Sequence, residues 1–328
     1  MKIQEIKQIG VVGAGLMGHG IAQVFASAGY AVNIHDTDAA VLGTVKDRIA
    51  ENFKVFIELG LAQPGDVELC LDRITLCPSL DALCQGCQYI LEAIREDLKV
   101  KQNIYTQLER TAAPDTIFSS NTSAISITEI SMALKSRGRF CGTHFWNPPH
   151  ILPCVEVIKG AHTDEAVFET VYGLMEKIGK VPVRVLKDVP GFLGNRLQHA
   201  MWREAISLCE KNIASAEDID KVVKYGFGLR LAFIGPLETA DLAGLDLTHD
   251  VHKYLFPYLD ASREPSPLLA SLVEQGASGV KAGHGLFQWP PEKIRRIIKC
   301  RDMILLRIVK EIVSPETSGD GQQPGMLS

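Results

Sequence analysis

No stretch of this 328-residue chain approaches the ~20 consecutive apolar residues that a membrane-spanning helix needs. Positive charge is also scarce. The chain has 34 Lys and Arg against 39 Asp and Glu, a net charge of -5, and no basic patch. That balance argues against nucleic acid as a partner, and an anionic substrate would have to be met by local cations. The N-terminal MKIQEIKQIGVVGAG lacks the apolar core and small-residue cleavage site of a secretory signal, so a cytoplasmic location is expected. Cysteine is present but unorganised. Of the eight, only Cys84 and Cys87 form a CxxC, and no second pair follows to complete a zinc ribbon. Without a secretory signal they read as reduced thiols, this pair as simply buried.

What the chain does contain is ordinary for a globular enzyme: 46% apolar and 22% charged residues. At about one domain per 150 residues, its length predicts two domains. The first part alternates strand and helix. IGVV (Ile9–Val12) leads into GAGLMG, a helical HGIAQVFASAG stops at Gly29, and YAVNIHD is the next strand. A helix is expected from about Asp38 to Leu61. YILEAI and TIFSSNTS read as further strands. The pattern predicts an α/β domain, a Rossmann-type doubly wound parallel sheet over residues 1–187. From Asp188 the periodicity is helical, which predicts an all-α domain over 188–313. The polar tail 314–328 is expected to be disordered.

Gly13, Gly15 and Gly18 spell GxGxxG between a strand and a helix. Gly13 allows the tight turn, Gly15 lets a pyrophosphate reach the backbone, and Gly18 lets the helix pack on the sheet. The second strand ends in Asp36, placed to take the adenosine ribose hydroxyls. No arginine adjoins it to greet a 2′-phosphate, so NAD is favoured over NADP. The motif alone would equally suit FAD.

THFWNPPHILPCVEV (143–157) carries His144, His150 and Glu156. The trio could grip a metal, but the prolines make the segment a loop led by His144 and break any shared strand face. Glu156 lies in the apolar strand CVEVI, where an unpaired charge is costly, and a histidine would be a good partner. The pair is then either a structural His–Glu bond or a base with the carboxylate that orients it, as alcohol oxidation by NAD requires. His150 is left to touch substrate or to cap the loop.

GAGLMG, EAIREDLKVK, SSNTSAISIT, THFWNPP with VEVI, DVPGFLGNRL, IGPLETADLAGLD and VKAGHGLF together resemble the NAD-dependent L-3-hydroxyacyl-CoA dehydrogenases over most of the chain. The resemblance implies a Rossmann domain followed by a helical domain that forms homodimers. It places the catalytic pair on His144 and Glu156, and substrate-contacting side chains on Ser123 and Asn195. It places cofactor contacts on Leu16 and Met17 of the glycine loop, on Asn121, and on Glu96 and Lys101 near the nicotinamide ribose; otherwise those last two are a surface charge pair. One stretch departs from the acyl-CoA pattern. GFGLRLAFIGPLET carries Arg230, which is similar to the branch of lambda-crystallin/L-gulonate 3-dehydrogenase and L-carnitine dehydrogenases. HFWNPPHILPCVEVI also looks like a relative that oxidises a pyridine carboxylate. Arg230 is then either a bidentate partner for a substrate carboxylate or half of a structural salt bridge. In the helix from Asp38, only Lys46, Arg48 and Lys54 could meet the phosphates of CoA. The expected activity is NAD-dependent oxidation of a 3-hydroxyl to a 3-keto group, on a short free 3-hydroxy acid or a short 3-hydroxyacyl-CoA. An idle, crystallin-like NAD-binding protein and a metal-dependent hydrolase are the competing classes.

Overall fold

A computed structural model describes residues 2–313; the tail from 314 lies outside the described residues. The chain divides into two compact units between Arg196 and Leu197. The boundary drawn above, at 187/188, falls between the last strand and the helix that crosses this point.

The first unit is built from alternating elements. β1 (Gln8–Val12), α1 (Gly18–Ser27) and β2 (Ala31–His35) come first, then α2 (Ala39–Gly43), α3 (Val45–Glu58), α4 (Pro64–Asp72) and β3 (Ile74–Leu76). α5 (Leu80–Cys84), β4 (Tyr89–Glu92), α6 (Leu98–Thr111), β5 (Ile117–Ser120) and α7 (Ile127–Ser131) follow. β6 (Phe140–Phe145), β7 (Cys154–Ile158), α8 (Glu165–Lys177) and β8 (Val181–Val185) complete the sheet. The eight strands lie in the order β3-β2-β1-β4-β5-β6-β7-β8. All neighbours are parallel except β6 and β7, which form an antiparallel pair. Central strands such as β4 are buried along their whole length, as strands covered on both faces must be. The strand order reverses between β1 and β4, and in such sheets the crevice at that switch point is where ligands bind.

The helix expected from Asp38 to Leu61 is broken. The Asp38 carboxylate caps α2 by accepting from Ala40 and Val41 N–H, and the chain turns at Thr44 before α3. Gly43 and Thr44 are weak helix formers placed side by side, which accounts for the break. His144 is also placed differently. It lies inside β6 rather than at the head of a loop, because the prolines begin only at Pro148.

α9 (Gly194–Glu210) runs across the division between the units. The second unit continues with α10 (Ala216–Tyr225), α11 (Phe227–Arg230), α12 (Pro236–Ala243), α13 (Leu245–Leu255), α14 (Pro267–Glu274) and α15 (Pro291–Val313). Ser215 caps α10 through the Asp218 N–H, and Gly226 ends it, as its sequence predicts. No described helix is long and apolar enough to cross a membrane.

Candidate active site

The glycine loop sits at the switch point. Gly13 adopts φ +97°, and a Cβ there would lie 2.6 Å from the Ala93 carbonyl oxygen at the end of β4. A Cβ on Gly18 would collide with the Gly13 carbonyl, whereas one on Gly15 would meet nothing within 4 Å. The loop is therefore closed on the protein side and open at Gly15. The N–H groups of Gly15, Leu16 and Met17 have no acceptor among the described residues. Unpaired amides at the start of a helix suit a pyrophosphate. Asp36 is tied to the same loop: Oδ2 accepts from Ala14 N–H at 2.7 Å and Oδ1 from Asp38 N–H at 2.9 Å. Each oxygen keeps a lone pair for a ribose hydroxyl. These features fit a dinucleotide.

Beyond β4, a charge cluster centred on a buried lysine replaces the expected surface pair, with Glu96 at its exposed edge. Lys101 is 1% exposed, and its ammonium donates to Glu92 at 2.7 Å and lies 3.3 Å from Glu96. Glu92 also accepts from Ser120 Oγ and from Ile94 N–H. Glu96 organises the next loop by accepting from the Thr122 hydroxyl and from Ser123 and Ala124 N–H. Burial pushes the Glu96 carboxyl up, but the Thr122 hydroxyl, the Lys101 charge and the two amides outweigh it and hold it below its ordinary value. Glu92 was not singled out above, although YILE shows the same signal as CVEVI, an acid inside an apolar strand. Asn121 is buried, and its side-chain oxygen accepts from Phe145 N–H at 2.8 Å, which fixes the loop against β6.

β6 and β7 pair so that His144 faces Glu156 directly. His144 Nδ1 lies 2.7 Å from Glu156 Oε2, with both residues buried. The other carboxylate oxygen accepts from Leu193 N–H at 2.9 Å and Gly194 N–H at 3.0 Å. Burial alone would raise the Glu156 carboxyl; the His144 bond and the two amides override it and keep it low and ionised. An ionised partner makes Nδ1 the donor, so Nε2, which has no partner among the described residues, is the basic nitrogen. The turn that delivers the amides is unusual. Gly191 and Phe192 both adopt positive φ, 76° and 49°, and Phe192 is fully buried against the His144 ring. A Cβ on Gly194 would collide with the Trp146 ring, which also packs on His144. Phe192, Leu193 and Gly194 lay in DVPGFLGNRL, but nothing local marked them as partners of a strand almost forty residues away.

Asn195 follows on α9 and donates its amide to the Ser123 carbonyl at 2.7 Å. The structure thus brings Ser123 and Asn195 together. The Ser123 hydroxyl and the Asn195 side-chain oxygen remain without partners among the described residues. His150 goes elsewhere. Its ring packs toward Phe56 on α3 and stands 3.4 Å from Asn52 Nδ2. Among the described residues no group of three His, Cys, Asp or Glu could hold a metal ion. Cys84 and Cys87 are buried, which pushes their thiols up to about 11 and about 12. Arg230 ends the short helix α11 in the second unit, exposed and with no hydrogen-bond or ion-pair partner among the described residues.

Comparison with known proteins identifies the family. Residues 8–189 match the NAD-binding domain of 3-hydroxyacyl-CoA dehydrogenase, and residues 191–289 match its C-terminal domain. The mitochondrial hydroxyacyl-coenzyme A dehydrogenase of Homo sapiens is 38% identical, over 87% of this chain and 91% of its own. The structure of an NAD-dependent 5-formyl-3-hydroxy-2-methylpyridine 4-carboxylic acid 5-dehydrogenase is 31% identical, covers 93% of this chain and 98% of its own, and superposes with a TM-score of 0.87. That of (S)-3-hydroxybutyryl-CoA dehydrogenase from Ralstonia eutropha is 32% identical, over 87% of this chain and 99% of its own, with a TM-score of 0.72. The chain belongs to the 3-hydroxyacyl-CoA dehydrogenase family and is an NAD-dependent oxidoreductase acting on a CH–OH group.

Proposed function

We propose that the chain oxidises a short free 3-hydroxy acid to the 3-keto acid. His144 Nε2 takes the hydroxyl proton as general base. Glu156 holds the ring in the tautomer that leaves Nε2 free and stabilises the imidazolium that forms. The Ser123 hydroxyl and the Asn195 amide position the reacting oxygen and the neighbouring carbonyl. Glu96 and Lys101 keep the loop carrying Ser123 in place beside the nicotinamide ribose, while Gly13, Gly15, Leu16, Met17, Gly18, Asp36 and Asn121 shape the rest of the cofactor site. Bound NAD supplies the hydride acceptor. The observation that carries this chemistry is the buried His144–Glu156 bond of 2.7 Å, with a carboxylate held by three donors and a ring nitrogen left over.

Three observations favour a free acid over a thioester. Arg230 offers a guanidinium with no protein partner among the described residues, which speaks against the structural salt bridge. Of the three cations that could meet CoA phosphates, Arg48 is bound to the glycine loop and Lys54 to Glu51, which leaves Lys46. The pyridine-carboxylate enzyme also covers more of the chain, at a higher TM-score, than the hydroxybutyryl-CoA enzyme. Arg230 is then the partner of the substrate carboxylate. Arg230→Ala is expected to raise KM for the free acid by about tenfold or more, the loss of one close charge pair, with kcat nearly kept. An unchanged KM would remove Arg230 from substrate binding.

The functional unit is a homodimer formed through the second unit, which exposes large apolar side chains on nearly every helix, among them Trp202, Tyr225, Phe227 and Tyr254. Light scattering at micromolar concentration reads this directly, and a monomer there would contradict it. The eight unpaired thiols fit a reducing compartment, the cytoplasm. Turnover of a thioester would instead place the enzyme in fatty acid metabolism.

A further inference from the structure

The chemistry above leaves one well-built polar feature unused. Arg48 reaches from α3 back to the glycine loop and donates to two successive carbonyls, Ala14 O at 2.8 Å and Gly15 O at 3.0 Å. Two acceptors one residue apart match the planar fork of a guanidinium, which meets each with its own N–H group. His19, nearly buried at the start of α1, stands at the same point. Its Nδ1 is 2.8 Å from Gly15 O and 2.8 Å from the Arg48 guanidinium. Burial lowers the His19 pKa, the Gly15 carbonyl raises it, and the Arg48 charge lowers it again; the net shift is downward. One ring nitrogen cannot donate to Gly15 O and accept from Arg48 at once; with the ring neutral, Arg48 is the cation of this cluster.

The two carbonyls belong to particular peptide groups. Ala14 C=O and Gly15 N–H are the two ends of one peptide, and Gly15 C=O and Leu16 N–H the two ends of the next. Both N–H groups are without acceptors among the described residues, and a Cβ on Gly15 would meet nothing within 4 Å. A cation on a peptide oxygen polarises that peptide and strengthens the donor at its other end.

We propose that Arg48 is a positioning residue for the cofactor: held behind the glycine loop, it strengthens through two peptide groups the amides that take the pyrophosphate, without touching the pyrophosphate itself. This adds a positive charge at the phosphate site of a chain whose net charge is -5, and it assigns Arg48 to NAD rather than to substrate.

The test measures displacement of NADH, followed by its fluorescence, by ADP and separately by adenosine. Adenosine keeps the ribose contact at Asp36 and lacks the phosphates. In Arg48→Met, ADP is expected to bind about tenfold more weakly (about 1.4 kcal/mol), with adenosine within about twofold of wild type. The fall of ADP affinity with salt should be shallower, because one cation has gone. Arg48→Lys, which keeps the charge without the fork, is expected near a threefold loss for ADP and carries the test alone if the methionine variant does not fold. ADP affinity within twofold of wild type in each variant that folds would overturn the proposal. So would a parallel loss of ADP and adenosine, which would mean that the loop had merely lost its shape.

Discussion

The two units solve the problem of burial differently. In the first, nearly every apolar residue of the sheet and of α1 is enclosed, and its polar cluster of Glu92, Lys101, Glu96, His144 and Glu156 is satisfied within the unit. In the second, among the described residues from Leu197 on, only Ser207, Ala277 and Leu306 are buried. Ser215 caps α10 and Ser266 caps α14, yet the apolar side chains of these helices have little to cover them. Helices of this kind draw most of their stability from packing rather than from propensity. The cofactor half is thus complete in one chain. The second half leaves most of its apolar side chains exposed in the single chain, which is what the proposed homodimer would cover.

The largest effect expected on this comparison lies in the complete half. His144→Ala should lower kcat by about three orders of magnitude, as loss of a general base does, while NAD affinity stays within about twofold. A parallel loss of NAD binding would mean that the side chain holds the fold rather than the proton. Glu156→Gln should cost about a hundredfold in kcat, because an amide can accept from the Leu193 and Gly194 N–H groups but stabilises an imidazolium poorly. A loss below about threefold, measured by steady-state kinetics, would leave the carboxylate a structural role.

Acid should act on the same half. Glu156 and Glu96 both have folded-state pKa values below their ordinary ones. Their stabilisation is therefore fully present above the ordinary carboxylate range, near pH 4–5, and is lost as pH falls through that range toward the lower folded values. Wild type should lose stability on acidification over this window more steeply than Glu156→Gln, which lacks one of the two groups. Equal slopes in denaturant titrations at pH 5 and pH 3.5 would contradict the assignment.

The smallest effect separates the units most cleanly. In calorimetry, NAD at about a hundred times its Kd should stabilise the first unit by about 2.7 kcal/mol. The transition of the second unit should instead rise with protein concentration, as the proposed homodimer requires. A single transition insensitive to concentration would break the comparison.

The contrast also shows what was legible in the sequence. β1, the glycine loop, α1 and β2 are local patterns, and their physical reasons lie within a few residues: Gly13 for the turn, Gly18 for close packing, Asp36 at the strand end. The cap of α10 at Ser215 is equally local. The helix from Asp38 was drawn too long because apolar periodicity persists across Gly43 and Thr44, while the break is a matter of propensity and capping. Other features were hidden because they depend on register across the sheet. His144 meets Glu156 through an antiparallel pairing that even spacing does not encode. Lys101 looks like a surface lysine until β4 and α6 enclose it. Arg48 reaches a loop more than thirty residues away. Glu92 was within reach, since an acid in an apolar strand always asks for a partner.

The most direct test of the central claim is NADH formation by the purified chain, with L-3-hydroxybutyryl-CoA run beside free acids that include L-gulonate, L-carnitine and L-3-hydroxybutyrate. The account predicts turnover of a free acid, abolished in His144→Ala, with the thioester slower. Faster turnover of the thioester, unaffected by Arg230→Ala, would contradict it.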